Sequence, residues 1–566
     1  MMTWFDRFRL VGQRATEQSG MTVDIDAVIR DLDPTPEGLA RAFESIRFDE
    51  NNLRHRRQTG AYYTPRLLID PILEHSLIPV MQRRMALSLD RNPDASVLTS
   101  VTDLSEQDRL RASGAILAMR ILDPSCGPGL FLLAAGELLA DRLTWLCHGS
   151  NATDEQRQQA RQQIASQCLF GIDSDPSAML AARAVLGIWA SPGDARFEIE
   201  SIVVGDGLDQ PALLPDQRFD VVIGNPPFAN AIEKEGDAAI GQAKRQRSET
   251  FQDLRGTADL AYYFIARAHA SANDDGAVGF VLPRAFLSTS SCQRLRARLL
   301  TERPPALLFA PPSPFLFTGA NIFVCAVVLR KRSPCVAGSD RLEPIDVKSD
   351  NWWSAMIGTP TLPSRTSLRV GNVFNIIASM TTGIAYDLVP CLREATAPEM
   401  EGSEEALPIR LVTTGLIEPG RCDWGKRPCR YLKRDYQHPV IDISSDKLLP
   451  AVRERLRKVA RPKVLVAGLS LRVEAILDEV GNLAGAVSTY TILEKENNVD
   501  RLRMLCDYLN SPVVSEQLSR ELGATALGGG RMTLTKSFLA GLTWPENETA
   551  QPKDQAGPVE SSTKEE

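Results

Sequence analysis

The stretch FDVVIGNPPFAN, residues 219–230, runs an apolar strand pattern straight into two prolines. Val221, Val222 and Ile223 form a short β-branched run, as expected for an interior strand of a parallel sheet covered on both faces. Gly224 permits a tight exit, and Asn225 is driven toward an extended backbone because a proline follows it. Pro226 and Pro227 then fix φ and offer no N–H. The expectation is a rigid loop at the carboxyl end of a strand, the place where open α/β sheets hold their ligands.

The same alternation of short apolar runs and helical patterns extends in both directions. Strands are expected at 121–123, 169–173, 202–206, 220–224, 277–283 and 322–329, with amphipathic stretches such as NATDEQRQQARQQIASQ, residues 151–167, between them. The fold class is therefore α/β, a Rossmann-like, doubly wound and mainly parallel sheet, followed by a second, C-terminal mixed α/β domain. A chain of 566 residues is too long for one core. The expected division is a helical extension over 1–58, the sheet domain over 59–335, a Pro- and Ser-bearing connector over 336–369, the second domain over 370–545, and an acidic tail over 546–566 whose polar composition favours disorder.

The 43 % hydrophobic and 24 % charged content is that of an ordinary soluble protein. No apolar run approaches the roughly 18 residues that span a bilayer, and the first twenty residues lack a signal-peptide core, so a cytoplasmic protein without a membrane partner is expected. The ten cysteines include no CxxC pair, which fits reduced thiols. Cys422, Cys429 and His438 lie close in sequence but match no zinc spacing, and no metal is expected. A net charge of −7 argues mildly against nucleic acid. Residues 421–472 argue the other way, with fourteen Lys or Arg against five acids, a local balance of +9. A solvated helix face explains part of this, and a phosphate-binding surface is the alternative.

Three further strand ends carry chemistry. In LDPSCGPGLFLLAA, residues 122–135, Asp123 ends a strand, and Gly127 and Gly129 let the backbone approach a ligand at a helix N-terminus. The spacing is not GxGxxG, so a smaller or cationic group suits it better than a pyrophosphate. Asp173 in GIDSDPSA stands where nucleoside-binding sheets place an acid for ribose hydroxyls, while Asp175 suits an N-cap before Pro176. Asp206 in VVGDGL is placed either to accept from an adenine amino group or to serve as a turn residue. With the NPPF loop these describe a nucleoside cofactor along the sheet edge and a second ligand beside it.

The order of TGAYYTP (59–65), DPSCGPGLF (123–131), GIDSDP (171–176), GDG (205–207) and NPPF (225–228) resembles the S-adenosylmethionine-dependent adenine-N6 DNA methyltransferases in their gamma arrangement, well over 60–335 and beyond it only in position, in TTGIAYD (381–387) and in GGGRMTLTKSFLAGLTWP (528–545). The resemblance implies S-adenosyl-L-methionine as cofactor, held by Tyr63, Thr64, Asp123, Pro124, Gly127, Gly129, Asp173 and Asp206. It implies a catalytic corner of Asn225, Pro226, Pro227 and Phe228. The Asn225 side-chain oxygen and the Pro226 carbonyl would accept the two hydrogens of a base amino group, and Phe228 would stack on a flipped-out base. No covalent nucleophile is needed, and Cys126 is not read as one.

Double-stranded DNA is the expected partner of a monomeric enzyme. Lys244, Arg245 and Arg247 beside the corner and Arg427, Arg430, Lys433 and Arg434 in the terminal domain are the candidate phosphate contacts. Only about fifty residues precede TGAYYTP, so cleavage by a separate restriction endonuclease or defence-system subunit is expected. NPPF-type loops also serve methyltransferases of RNA guanine-N2 and of protein glutamine amides, and a non-catalytic DNA-recognition subunit is a further alternative.

Overall fold

The computed structural model describes residues 35–47, 64–92, 104–192, 194, 197–214, 217–228, 249–255, 258–311, 323–331, 334–338, 343–357, 368–397, 399, 408–432, 434–443, 445–525 and 531–545. The chain forms two compact units. One comprises the residues up to Thr359 with Arg520–Arg531, and the other comprises Pro360–Ser519 with the residues from Met532.

The first unit is built on a nine-stranded sheet. Its strands are β1 (Ile121–Asp123), β2 (Leu169–Asp173), β3 (Ile202–Val204), β4 (Phe219–Gly224), β5 (Ala272–Pro283), β6 (Pro305–Phe309), β7 (Val324–Arg330), β8 (Cys335–Gly338) and β9 (Glu343–Ile345), in the order β3-β2-β1-β4-β5-β7-β6-β8-β9. Strands β3 to β5 pair in parallel, and β7 runs antiparallel to both β5 and β6. The sheet is thus mixed. The expectation of a mainly parallel sheet holds for its site-bearing half.

Helices cover the sheet: α1 (Pro36–Arg47), α2 (Arg66–His75), α3 (Leu77–Ser88), α4 (Glu106–Leu117), α5 (Leu130–His148), α6 (Asp154–Gln167), α7 (Pro176–Ala190), α8 (Leu260–Ser271) and α9 (Gln293–Glu302). Helix α6 begins with a reciprocal capping box between Thr153 and Gln156. Helix α7 starts with Asp175 as N-cap and Pro176 at its first position, as the sequence suggests. Helix α2 lies unusually close to β5, since a Cβ on Gly279 would stand 2.6 Å from Ile72 Cγ2.

Strand β6 is not among the strands the sequence pattern predicts, because prolines crowd both ends of its apolar run in RPPALLFAPP, residues 303–312. The stretch expected as a connector, 336–369, contains most of β8, all of β9 and a helix, Trp352–Ile357, whose Trp352 is buried edge-on to Phe286. No helix among the described residues is long and apolar enough to cross a membrane.

The second unit contains two four-stranded sheets. One orders 374–378, 489–494, 463–467 and 475–478, all antiparallel. The other orders 392–394, 439–441, 409–412 and 483–485, with its last pair parallel. Helices Pro450–Val459 and Val499–Leu509 accompany them.

Candidate functional site

Two glycines press neighbouring loops onto the end of β1. A Cβ on Gly224, at the end of β4, would lie 2.6 Å from Asp123 Oδ1, and one on Gly207, after β3, would lie 1.9 Å from the Pro124 carbonyl oxygen. Only a residue without a side chain allows either approach. The loop after β3 is held from behind as well. Arg267 Nε on α8 donates to the Leu208 carbonyl at 2.9 Å, and its guanidinium lies over the Phe251 ring.

Between β1 and α5 the backbone turns through Gly127 at φ +51° and Gly129 at φ +88°. A Cβ on Gly127 would meet nothing within 4 Å, so open space fronts this turn, whereas Gly129 sits against Ala182 of α7. The Asp173 carboxylate ties the turn to β2, its Oδ2 accepting from the Gly127 N–H and its Oδ1 from the Asp175 N–H, each at 2.9 Å. Asp206 Oδ1 accepts from the Leu208 N–H at 3.0 Å, the turn-forming geometry anticipated as one of its two readings.

Asp123 is 2 % exposed, and its Oδ1 accepts from the Ser125 N–H at 3.0 Å. Burial away from water pushes its carboxyl up to about 8, one hydrogen bond opposes the rise, and the nearby Asp173 charge adds to it. The Cys126 thiol, buried among the same acids, is held well above its ordinary value, which suits an inert side chain rather than a nucleophile.

The NPPF corner follows directly from Gly224. Asn225 Nδ2 donates to Thr64 Oγ1 at 3.0 Å, and Asn225 Oδ1 is buried with no hydrogen-bond partner among the described residues. Pro226 is buried and Pro227 half-buried. Phe228, expected to bare a ring face, is 7 % exposed and belongs to the hydrophobic core of the unit.

The structure therefore gathers Asp123, Pro124, Gly127, Gly129, Asp173, Asp206 and Asn225 at the carboxyl edge of β1 to β4. It places Thr64 on Asn225, a contact across 161 positions that nothing in the sequence signals. Tyr63, Lys244, Arg245, Arg247 and Lys433 lie outside the described residues. In the second unit Arg427 is committed to Asp423 and Glu418, at 2.8 and 2.9 Å, and Arg421 to Asp423. Lys463 and Lys458 are paired as well, so the basic stretch is less open than its composition implies. Arg434 is exposed on a short hairpin, and Arg430 there stands 4.0 Å from Asp435. No cluster of three or more His, Cys, Asp or Glu able to hold a metal occurs among the described residues.

Residues 167–308 match the family model described as the Eco57I restriction-modification methylase. The type II restriction enzyme and methyltransferase RM.Eco57I of Escherichia coli is 22 % identical over 254 residues, 38 % of this chain and 25 % of that protein. The type II methyltransferase M.VspI of Vibrio sp. (strain 343) is 21 % identical over 335 residues, 58 % of this chain and 62 % of that one. The matches thus span between a quarter and just under two-thirds of these curated relatives.

Two solved structures share the fold. The Type IIL restriction-modification enzyme MmeI in complex with DNA has a TM-score of 0.59 at 14 % identity, covering 90 % of this chain and 70 % of that one. The DrdV–DNA complex has a TM-score of 0.50 at 11 % identity, covering 88 % and 58 %. The family match runs from β2 to α9 and includes the NPPF corner, so this part of the chain is similar to the Eco57I restriction-modification methylases.

Proposed function

We propose that this protein transfers a methyl group from S-adenosyl-L-methionine to the N6 amino group of adenine in double-stranded DNA, the base having swung out of the helix. The observation that carries this reading is Asn225 Oδ1, a buried acceptor without a partner at the end of a strand. Leaving such an oxygen unpaired costs about 1 to 3 kcal/mol, an expense that makes sense if a ligand hydrogen completes the bond.

The residues at the strand ends fit the cofactor. A buried carboxyl that keeps its proton for want of a counter-charge suits a ligand bearing cationic groups, and the open turn at Gly127 leaves room beside it. Asp123, Pro124, Gly127, Gly129, Asp173 and Asp206 would line that place. When bound, the cofactor supplies an electrophilic methyl group on a cationic sulfur. Asn225 accepts one hydrogen of the base amine through Oδ1, and the Pro226 carbonyl accepts the other. Together they draw the nitrogen lone pair out of the ring and stabilise the positive charge that develops on it. Phe228 supports the corner from the core and reaches a base only if its ring turns outward.

Incubation of the purified protein with DNA and methyl-labelled cofactor, followed by digestion to nucleosides, is expected to yield N6-methyladenine. Label on a ring carbon, or on RNA or protein in place of DNA, would overturn the assignment.

Asp123 makes a pH-dependent prediction. A cationic ligand favours the carboxylate, so near pH 6.5 cofactor binding is expected to expel about one proton, and affinity should rise with pH until about 8 and then level off. For the protein by itself the sign is opposite. The folded chain keeps a proton that the unfolded chain gives up, so that stabilisation is complete at low pH and is lost as pH climbs through about 8. Calorimetry in buffers of differing ionisation heat measures the proton release, and Asp123→Asn should abolish it. Proton uptake on binding would refute the role.

A further inference from the structure

The Thr64 hydroxyl spans from the N-terminal TP segment to the amide of the corner. We infer that Thr64 is a positioning residue that sets the plane and direction of the Asn225 carboxamide; this rests on the proposed role of Asn225 Oδ1 as the acceptor for the base amine. A side-chain amide is nearly symmetric in shape, yet its two ends are opposite in chemistry. With Nδ2 donating to Thr64 Oγ1 at 3.0 Å, the oxygen is the end left for a ligand. Turning the amide over would bury an NH₂ group with two unpartnered hydrogens where one unpartnered oxygen stands. It would also set two donors against each other when an amine arrives. Burial selects which end faces the ligand, since a hydroxyl can donate as readily as it accepts, and Thr64 Oγ1 then fixes the plane of the amide in that orientation.

Thr64 is itself held firmly. It is buried, and two positions later Arg66 Nη2 pairs with Glu137 Oε2 on α5 at 2.8 Å and Arg66 Nε donates to Glu37 Oε1 on α1 at 2.7 Å. Those carboxylates raise the already high basicity of Arg66 against the opposing effect of burial. Ile72, further along α2, packs onto β5 at Gly279, the strand beside β4. Both anchors lie on α2, immediately after Thr64, and hold that end of the segment against the sheet edge that carries Asn225. A reading of Thr64 as a cofactor contact leaves its pairing with the amide unexplained.

The test compares Thr64→Val, which keeps the shape and removes the hydroxyl, with Thr64→Ser, which restores it. Single-turnover methyl transfer at saturating cofactor and DNA is expected to fall by about 10²-fold in Thr64→Val, the scale of a small misplacement of a reacting group, and to recover to within a few-fold in Thr64→Ser. Cofactor affinity, measured separately by calorimetry with S-adenosylhomocysteine, should stay within about twofold. Adding Thr64→Val to Asn225→Ala should produce no further loss, because the hydroxyl acts only through the amide. A weakened cofactor with an unchanged saturating rate, or losses that multiply in the double variant, would overturn the assignment while leaving the proposed reaction intact. A wild-type protein that places no methyl group on adenine N6 overturns both.

Discussion

Asn225→Ala is expected to lower the rate of methyl transfer by at least about 10²-fold while cofactor affinity stays within about twofold. The size follows from what is removed. Asn225 Oδ1 is already buried without a partner, so in the proposed reaction it would act as a preorganised acceptor that needs no desolvation of its own when the base amine arrives. Removing one such preorganised group commonly costs about 10² to 10³ in turnover. Stability should change little, because Asn225 is only half-buried and its one described hydrogen bond is to a hydroxyl that can turn to another partner.

Asn225→Asp provides a sharper comparison. It keeps an oxygen in place and lets the Thr64 hydroxyl reverse to become a donor, at the expense of a new charge near Asp123 and Asp173. Its rate should fall between wild type and alanine. Single-turnover kinetics with separately measured cofactor binding decide the matter, and a normal rate in the alanine variant would remove Asn225 from the chemistry.

Much of this site was legible because its signals are local. A β-branched run followed by Gly-Asn-Pro-Pro specifies a strand and a stiff exit from adjacent residues alone, and β4 ends at Gly224 as that pattern requires. Asp173 and Asp206 were readable as strand-end acids for the same reason. What could not be read was how those ends meet. Gly207 against Pro124, Gly224 against Asp123 and Asn225 against Thr64 are contacts between distant segments, fixed by sheet order rather than by neighbouring residues.

Phe228 shows the limit most plainly, since the sequence reads it as a stacking platform and carries no signal of the tertiary packing that buries its ring in the core. In the second unit, composition overstated the free basic charge because opposite charges close in sequence, Arg421 and Arg427 with Asp423, satisfy one another in space.

Asp478→Ala should destabilise the second unit by about 3 to 5 kcal/mol, the usual consequence of stripping one partner from a buried ion pair. Lys463 is 0 % exposed and faces Asp478 across paired strands, its Nζ 2.5 Å from Asp478 Oδ2. Burial lowers the Lys463 pKa, and the Asp478 charge acts against that fall. Asp478 also accepts the Gly481 and Leu483 N–H groups at 2.8 and 2.9 Å, so the same substitution unties the turn that leads from 475–478 to 483–485.

The loss should depend on pH with a definite sign. Without its counter-charge the lysine is depressed further. The penalty is then complete below its folded pKa and is relieved as pH rises toward the ordinary lysine value of about 10.4, where the unfolded chain also gives up the proton. Hydrogen exchange in peptides covering 463–478 reports this unit separately, which a single melting curve of a two-unit chain does not. Protection there should collapse at neutral pH and partly return above pH 9, and unchanged protection at neutral pH would show that the pair contributes no stability. Because the proposed cofactor residues all lie in the first unit, affinity for S-adenosylhomocysteine should survive the change. If the second unit reads DNA, binding to DNA should not.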